Sequence, residues 1–300
     1  IWFGTRGLDP YKAVAEATLR KFNIYGWNQR DRPAPTKFLE VGGRAWQSAQ
    51  PDTLEYWKLL NELYANEPVA PRDRVMFGML RSLGIAPGTP FNPDARQARI
   101  LTDAAKLGEL MARTIAYDKR YAGATVYPGK RWEYAVLFDL DQEAPDKTRV
   151  QFDERSSWFY EAIGMSVGMQ GRIVGFGQVY LETSRDRDGN WLDGGKTYRL
   201  RVDPNPPVRQ FWSITLYDNV TRGPLVTPQG AADLSSRNPD LVKNADGSLD
   251  VYFGPERPAN AANWIRTMPS KGWFPYFRFY AATEAYFDKS WQLNDIELVK

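Results

Sequence analysis

The first third of the chain carries apolar residues at helical spacing. In the segment "DTLEYWKLLNELYANEP", apolar side chains recur every three or four positions from Leu54 to Leu63, as they do on one face of a helix. Asp52 is placed to cap this helix and Pro68 to stop it. The same criteria predict four helices, over residues 9–25, from 52 to Pro68, over 72–83 and over 93–118.

After Gly129 the pattern changes to short apolar runs such as "YAVLFDL" and one segment of helical spacing, "ERSSWFYEAIGMSVGMQ". From about residue 170 it alternates, which is typical of strands. In "RQFWSITLYD", Trp212, Ile214 and Leu216 share one side. The other predicted strands are "GFGQVYLETS", "KTYRLRV", "LDVYFG" and "WFPYFRFYA". Two spacers, "RDRDGNWLDGG" and "KNADGS", contain Asp-Gly steps that predict hairpin turns.

These elements predict an α+β fold, with a helical N-terminal region followed by an antiparallel, jelly-roll-like β-sandwich domain. We expect the helical region over 51–128 and the sandwich, with a small mixed α/β insertion, over 129–300. Residues 1–50 would be the remnant of a preceding domain with its linker. The length of 300 residues with 43% hydrophobic content allows one large or two smaller domains, and the change of pattern favours two.

The composition excludes several chemistries, because the chain has no His and no Cys. A Ser-His-Asp triad, a Cys nucleophile, a His base and a His-ligated metal cannot form within it. No cofactor is indicated, and the redox compartment stays open because a large core needs no disulfides. The 11 Trp, 16 Tyr and 15 Phe would suit carbohydrate or aromatic ligands, although filling the core is their commoner use.

The charges nearly cancel, with 39 basic and 36 acidic residues and a net charge of +3. This balance gives no support to nucleic-acid binding. No apolar run approaches the roughly 20 residues of a membrane span. The sequence opens at Ile1, without Met or an apolar leader, so we expect a targeting segment to have been cut away or to lie outside it.

Several motifs in order resemble a known family. "FWSITLYD" after a Pro-Pro step, "NADGSLDVYF", "ANWIRTMPSKGWFPYFRFY" and "KSWQLNDIELV" look like the C-terminal domain catalogued as domain of unknown function 1214, and "DGNWLDGGKTYRLRV" resembles its entry strand. "WKLLNELYANEPVAPRDRVMFGMLRSLGIAPGTPFN" resembles the helical middle that joins it to domain of unknown function 1254. The resemblance covers about residues 50–300.

This resemblance implies a helical region, two related β-sandwiches and a smaller mixed α/β piece, and a secreted protein, periplasmic or extracellular. The opening "IWFGTRGLDPYKAVAEATLRKFNIY" resembles the tail of the partner domain, so the N-terminal β-domain of the same protein would be a missing partner. The family brings no catalytic residues. The chain departs from it in having Glu161-Ala162 where relatives tend to have Arg-Ala, and "NWIR" where they tend to have "NWLP".

Glu161 and Asp218 are the candidate catalytic residues. "FDERSSWFYEAIG" places Arg155, Trp158 and Glu161 on neighbouring turns of a helix, so one face would present a carboxylate beside an aromatic ring. Two carboxylates can cleave a glycosidic bond without His or Cys, one as acid and the other as nucleophile or base. A solvated or ion-paired Glu161 is the commoner outcome for a charged residue, and the sequence leaves both open.

Tyr276, Arg278 and Tyr280 are candidate ligand-binding residues, because alternation in "PYFRFY" puts them on one side of a strand. Arg stacked between Tyr rings can hold an anionic group or a sugar. The alternative is a contact between domains or a salt bridge from Arg278 to Asp218. Asn263 and Trp264 would line a pocket or cap a loop.

No metal site is indicated by the acidic loop "DRDGNWLD", from Asp186 to Asp193. Its oxygen-rich composition resembles a calcium loop, but its Gly is fourth where the EF-hand pattern needs it sixth. A charged hairpin loop is the better interpretation, since Asp and Asn are ordinary turn residues.

Two functions follow, and the sequence leaves open whether the chain is an enzyme. One is a secreted, carboxylate-dependent hydrolase or lyase acting on a saccharide or other extracellular polymer. The other is a non-catalytic surface protein that binds a glycan or assembles with copies of itself as a homo-oligomer, through aromatic faces and strand edges.

Overall fold

The computed structural model describes residues 12–39, 49–139, 141–162, 169 and 172–299. The chain divides into two compact units, residues 1–47 and 48–300. In the first, helix α1 (Lys12–Leu19) is shorter than the predicted helix at 9–25, whose first three residues lie outside the described part. Beyond its end, Thr36 binds two residues of the predicted helix: the Thr36 backbone N–H donates to Asn23 Oδ1 at 3.0 Å and its hydroxyl accepts from Ile24 N at 2.6 Å.

Helices at the start of the second unit follow the predicted order. They are α2 (Leu54–Asn66), α3 (Arg74–Leu80), which is flanked by 3-10 turns, and α4 (Ala95–Tyr117). Thr53 caps α2, one residue after the expected Asp52, because its side chain accepts from Glu55 N, and Asp94 caps α4 by accepting from Gln97 N. Both are short polar side chains in extended backbone, as helix N-caps require.

A five-stranded sheet forms the middle layer of this unit, in the order β1-β2-β8-β4-β5 and antiparallel throughout. Its strands are β1 (Glu133–Tyr134), β2 (Gln178–Glu182), β4 (Val208–Asp218), β5 (Asp233–Ser235) and β8 (Trp273–Ala282). The apolar run "YAVLFDL" contributes only its first residue to β1, although it reads as a strand. Helix α5 (Phe152–Glu161) lies between β1 and β2 in sequence.

A four-stranded sheet packs against the first one, in the order β7-β6-β3-β9. It comprises β3 (Tyr198–Val202), β6 (Leu249–Gly254), β7 (Asn263–Arg266) and β9 (Glu297–Leu298), and a short helix α6 (Glu284–Phe287) follows β8. The pairing of β6 with β7 is parallel and the others are antiparallel.

The main core lies between the two sheets. Trp212, Ile214 and Leu216 of β4 are buried there with residues of the facing sheet such as Leu200 and Val251. The side of β4 that carries these three residues, grouped together by the alternation in the sequence, therefore faces the core. Together with the helical start of this unit, these paired sheets confirm the predicted α+β fold class.

A second apolar cluster covers the other side of the five-stranded sheet. Tyr117 of α4 and Trp158 and Tyr160 of α5 pack there against Phe274 and Tyr276 of β8. One side of this sheet thus faces a second sheet and the other faces two helices, and the helix-facing side holds the polar groups described below.

The two Asp-Gly spacers do not join neighbouring strands. Residues 183–197 and 236–248 each carry the chain from the five-stranded sheet to the four-stranded one, so the predicted hairpins are wrong at the level of strand pairing. The turns themselves form locally. Gly189 has φ 89° and closes a turn in which its N–H donates to Asp186 O, beside a single antiparallel bridge between Arg185 and Trp191.

Candidate functional site

Three carboxylates converge on one buried ammonium group at the helix-facing side of the sheet. Lys119, two residues after α4, pairs with Glu161 at 2.8 Å, with Glu133 at 3.9 Å and directly with Glu182. Its Nζ also donates to the carbonyl of Ala116 at 2.8 Å. With every acid ionised, the cluster would hold two uncompensated negative charges away from water, which is costly.

Sheet register and helix ends bring these groups together. Glu133 of β1 and Glu182 of β2 are direct cross-strand partners, and Glu182 is in turn opposite Tyr276 of β8. Glu161 is the last residue of α5. Alternation places Val179 and Leu181 of β2 in the main core, and Glu182 consequently faces the helices.

Glu133 is the exposed member of this cluster. Its side chain is 21% exposed, whereas those of Lys119, Glu161 and Glu182 are at most 1% exposed. Burial raises the pKa of Glu133 to about 7, against the opposing effect of the Lys119 charge, and the negative charge of Glu161 raises it further. Glu133 therefore exchanges a proton near neutral pH, at the edge of an otherwise sealed network.

Tyr276 and Ser157 hold Glu161 from two sides. The Tyr276 hydroxyl donates to Glu161 Oε2 at 2.8 Å, and Ser157 Oγ donates to Glu161 Oε1 at 3.0 Å. Burial, followed by the charge of Glu161, raises the pKa of Tyr276 well above its usual value. Tyr276 is thus a hydrogen-bond donor across the physiological range, and both oxygens of Glu161 have fixed partners.

A cavity of about 150 Å³ opens beside Glu133. Its walls include three hydroxyl groups and three cations, from Thr125, Thr183, Ser184, Lys130, Arg131 and Arg185. Larger cavities of about 280 and 430 Å³ lie between the helices and have mainly apolar and aromatic walls. The small cavity is the one that Glu133 lines.

Arg278 lies among hydroxyls and aromatic rings. Its guanidinium donates to Thr215 Oγ1 at 3.0 Å and to the Tyr217 hydroxyl at 2.6 Å. It lies 5.2–5.6 Å from the ring centroids of Tyr180, Tyr217 and Tyr276. These contacts replace the expected alternative of a salt bridge to Asp218.

Tyr280, the third member of the predicted set, stacks on Phe211. The two ring centroids are 3.9 Å apart with an interplanar angle of 12°, and the guanidinium of Arg237 lies 4.0 Å from the Phe211 centroid. Tyr276, Arg278 and Tyr280 share one side of β8, where Tyr276 meets the carboxylate cluster and Tyr280 lies two residues beyond Arg278.

Asp218 stabilises a turn at the end of β4. Its Oδ1 accepts from the backbone of Val220 and Thr221 at 2.8 and 3.0 Å, and its Oδ2 pairs with Lys271. Burial opposes its charge, but Lys271 and these backbone donors outweigh burial and lower its pKa. Asp218 and Glu161 therefore bind different partners and do not form a carboxylate pair.

Asn263 and Trp264 belong to β7 in the four-stranded sheet. Asn263 is buried; its side chain donates to the carbonyls of Val242 and Asp250 and accepts from Val242 N. The Trp264 indole donates to Gly254 O at 3.1 Å. Both hold strands and loops together, and they lie in a different sheet from the carboxylate cluster.

Sequence reasoning found Glu161 and Tyr276 but missed Lys119, Glu133 and Glu182. A usable signal was present for Glu182, the one acidic residue in the predicted strand "GFGQVYLETS". Lys119 and Glu133 stand in "YDKRYAG" and "KRWEY", where neighbouring charges look like ordinary solvated residues. Only the pairing of β1 with β2 shows that they meet.

Within the part of the chain that the structure describes, no group of three or more acidic side chains is arranged to hold a metal ion. No helix in the same residues is long and apolar enough to cross a membrane.

Comparison with known proteins identifies a family over part of the chain. The model of the family described as "Protein of unknown function (DUF1214)" matches residues 177–284, from just before β2 to the start of α6. This confirms the domain of unknown function 1214 in the resemblance. A search of curated proteins found no match.

Two solved structures are similar to the chain at low identity. The VPA0106 protein from Vibrio parahaemolyticus is 18% identical with a TM-score of 0.48, over 98% of this chain and 67% of that one. A putative uncharacterized protein from Burkholderia cenocepacia is 16% identical with a TM-score of 0.38, over 68% of this chain and 42% of that one.

Proposed function

We propose that the chain is a carboxylate-dependent hydrolase or lyase that acts on a saccharide, with Glu133 as the group that exchanges a proton with the substrate. The observation that carries this proposal is the raised pKa of Glu133, about 7, on a side chain that lines a cavity. General acid–base catalysis is most efficient when the catalytic pKa lies near the working pH. Perturbed carboxylates in clefts are also enriched at functional sites.

Both reactions use Glu133 to transfer a proton. It acts first as an acid in hydrolysis and first as a base in elimination. In hydrolysis, protonated Glu133 gives its proton to the glycosidic oxygen as the bond to the sugar carbon breaks; water then adds to that carbon and returns a proton to the Glu133 carboxylate. In elimination, ionised Glu133 takes a proton from carbon, the electron pair forms a double bond, the bond to the leaving oxygen breaks, and that oxygen receives the proton from Glu133. Neither reaction requires His or Cys.

Glu161 acts as a positioning residue in this proposal. Its side chain is sealed from solvent and it shares Lys119 with Glu133, so its negative charge raises the pKa of Glu133 without contact with substrate. We leave Asp218 out of the site, because Lys271 and two backbone donors occupy its oxygens.

The test is turnover of a panel of polysaccharides by Glu133→Gln, Glu133→Asp and wild-type protein. We expect Glu133→Gln to lose about 100-fold or more, the typical contribution of a general acid or base, and Glu133→Asp to keep part of the activity. Glu256→Gln, which changes an exposed carboxylate on a loop after β6, is the matched control. Unchanged turnover in Glu133→Gln would contradict the role of Glu133.

A second candidate is a non-catalytic protein that assembles with copies of itself. It is favoured by the large apolar side chains that α2–α4 expose, among them Leu63, Val75, Met79 and Leu107, since exposed apolar patches often mark interaction sites. Light scattering over a range of concentrations tests this. A monomer at every concentration would exclude self-assembly, and Met79→Gln with Leu107→Gln should dissociate an oligomer.

The resemblance also supports two proposals about the protein's context. One is an N-terminal β-domain of the kind catalogued as domain of unknown function 1254, and the other is a periplasmic or extracellular location. Cell fractionation of the full-length protein tests the location, and a structure that includes the preceding residues tests the domain.

A further inference from the structure

Two of the cations at the cavity beside Glu133 form no close side-chain ion pair. Asp295 is their nearest acid: it accepts the Arg131 backbone N–H at 2.9 Å, and its charge acts on both side chains. Within the described residues, neither Lys130 nor Arg131 forms an ion pair within 4 Å, and the third cation, Arg185, shares Asp118 at 3.5 Å with Arg120. The cavity lining therefore carries an excess of positive charge, with three cations against the acids Asp118 and Glu133. Such an excess favours an anionic group that approaches from solvent.

Each of these cations also has an uncharged partner that holds it in place. Lys130 Nζ donates to Leu293 O at 2.8 Å, Arg131 Nε to Arg187 O at 3.2 Å, and Arg185 Nη1 to Gly189 O at 3.0 Å. Each contact uses one donor and leaves others on the same group. Fixed cations with free donors lose little side-chain entropy when an anion binds, which favours affinity.

The rest of the cavity is suited to hydroxyl groups. Thr125, Thr183 and Ser184 contribute hydroxyls to its walls, which can both donate and accept hydrogen bonds. Beside it, the Trp191 indole is 50% exposed and carries the Arg185 guanidinium 3.7 Å from its ring centroid. Arg185 covers one face of this indole, and the exposed remainder offers apolar surface next to polar groups, where a sugar ring can pack.

The size of the cavity limits what can enter. At about 150 Å³ it is smaller than the roughly 300–1,000 Å³ pockets that enclose drug-sized ligands. A single sugar unit or its charged end would be held, and the remainder of a longer chain would lie outside.

We infer that this cavity binds a carboxylate-bearing sugar, such as a hexuronate unit, with Lys130 and Arg131 on the carboxylate and the hydroxyl side chains on the ring. The inference rests on the proposed function, because it names the substrate class of the same site. Neutralising a carboxylate beside Glu133 would favour removal of the proton on the adjacent carbon, so the elimination reaction gains support.

Binding should depend on pH through Glu133. The titratable and charged groups around its carboxyl are Lys119 and Tyr121 after α4, Glu161 of α5, Glu182 of β2, and Asp118, Arg185, Lys130 and Arg131 at the cavity. When Glu133 loses its proton near pH 7, it places a negative charge beside the bound carboxylate. Affinity for the anion should therefore fall as pH rises through 7.

The test is calorimetric titration of the Glu133→Gln protein, in which turnover cannot interfere. The probes are glucuronate, glucose, acetate and sulfate. We expect glucuronate to bind at least about tenfold more tightly than the other three, and Arg131→Gln in the same background to lose that advantage. Arg96→Gln, an exposed arginine of α4, should leave it intact.

Three results would overturn the inference. They are equal binding of glucose and glucuronate, equal binding of sulfate or acetate and glucuronate, and unchanged binding in Arg131→Gln. With Glu133 present, glucuronate affinity should fall above pH 7, and a pH-independent affinity would contradict the coupling.

Failure of the proposed function would look different. Tight glucuronate binding without turnover of any acidic polysaccharide would remove the catalytic role and keep the binding site. Turnover of a neutral glycan without glucuronate binding would keep the catalytic role of Glu133 and remove the binding site for a carboxylate-bearing sugar.

Discussion

Glu133 and Glu182 are direct cross-strand partners in β1 and β2, and the ammonium of Lys119 contacts both. Like charges directly opposite each other destabilise a sheet. Here the pair is tolerated because Lys119 supplies the opposite charge and because Glu133 holds its proton up to about pH 7. The stability of this edge therefore depends on one lysine and one proton.

Lys119→Met should destabilise the protein strongly. The substitution leaves three carboxylates around an apolar side chain, and loss of one partner of a buried ion pair typically costs about 3–5 kcal/mol. The loss should be larger at about pH 8 than at pH 5, since protonation relieves the repulsion. Urea unfolding at both pH values measures it. Lys58→Met, at an exposed pair with Glu55 in α2, should cost little, and a similar cost for both would contradict this account.

Stability should fall with rising pH because of Glu133. Its folded pKa of about 7 lies above the ordinary value of 4.5, so the folded state binds the proton more tightly than the unfolded chain does. The favourable contribution is complete below pH 4.5 and is lost as pH rises to about 7, a change of about 3 kcal/mol at 1.36 kcal/mol per unit. In Glu133→Gln, unfolding free energy should lose this dependence, whereas an unaltered pH profile would refute the assignment.

Tyr276→Phe should cost about 1.5–3 kcal/mol, because it removes a hydrogen bond to a charged group. Tyr117→Phe is the matched control. Tyr117 is also buried, but its hydroxyl has no hydrogen-bond partner in the described part of the chain, so its removal should be close to neutral. Thermal unfolding of both variants compares them directly, and equal shifts would show that the bond to Glu161 contributes nothing.

Asp218→Asn should destabilise the protein at neutral pH and have little effect at strongly acidic pH. The lowered pKa of Asp218 means that its contribution is present above the ordinary pKa of Asp and is lost as pH falls through the lowered one. We expect a cost of about 1–3 kcal/mol at pH 7 and no direct effect on turnover. A loss of turnover without loss of stability would return Asp218 to the catalytic candidates.

Two glycine substitutions should have opposite signs. A Cβ on Gly194 would lie 2.0 Å from the backbone oxygen of Met268, whereas a Cβ on Gly108, within α4, would meet nothing within 4 Å. Gly108→Ala should stabilise by about 0.5–1 kcal/mol, and Gly194→Ala should destabilise by more than that. Chemical unfolding of the two variants checks the packing of the loop that contains Gly194.

Much of the fold could be predicted because it depends on local patterns. The helices from α2 to α4 and the strands β3, β4, β6 and β8 follow from spacing and alternation. The pairing of strands did not follow, because the Asp-Gly spacers carry turn chemistry but connect different sheets. A turn signal reports the local backbone and contains no information about which edge the next strand joins.

The site was only partly predictable for a related reason. Glu161 and Tyr276 stood out because each lies beside aromatic residues in its own element. Lys119 and Glu133 are ordinary charged residues in sequence, and their burial depends on β1 pairing with β2 and on α5 packing over the sheet. Lys119 is 42 positions from Glu161 and 63 positions from Glu182 in the sequence. Contacts over such separations are not visible in a local sequence pattern.

The order of the five-stranded sheet bears on synthesis of the protein. Its central strand, β8, is made after β2 and β4, which both pair with it. On a ribosome, the earlier strands would emerge with unpaired edges and remain so until residues near 282 leave the exit tunnel. Unpaired edges invite aggregation, so the nascent chain should depend on chaperones from the synthesis of β2 until β8 has emerged.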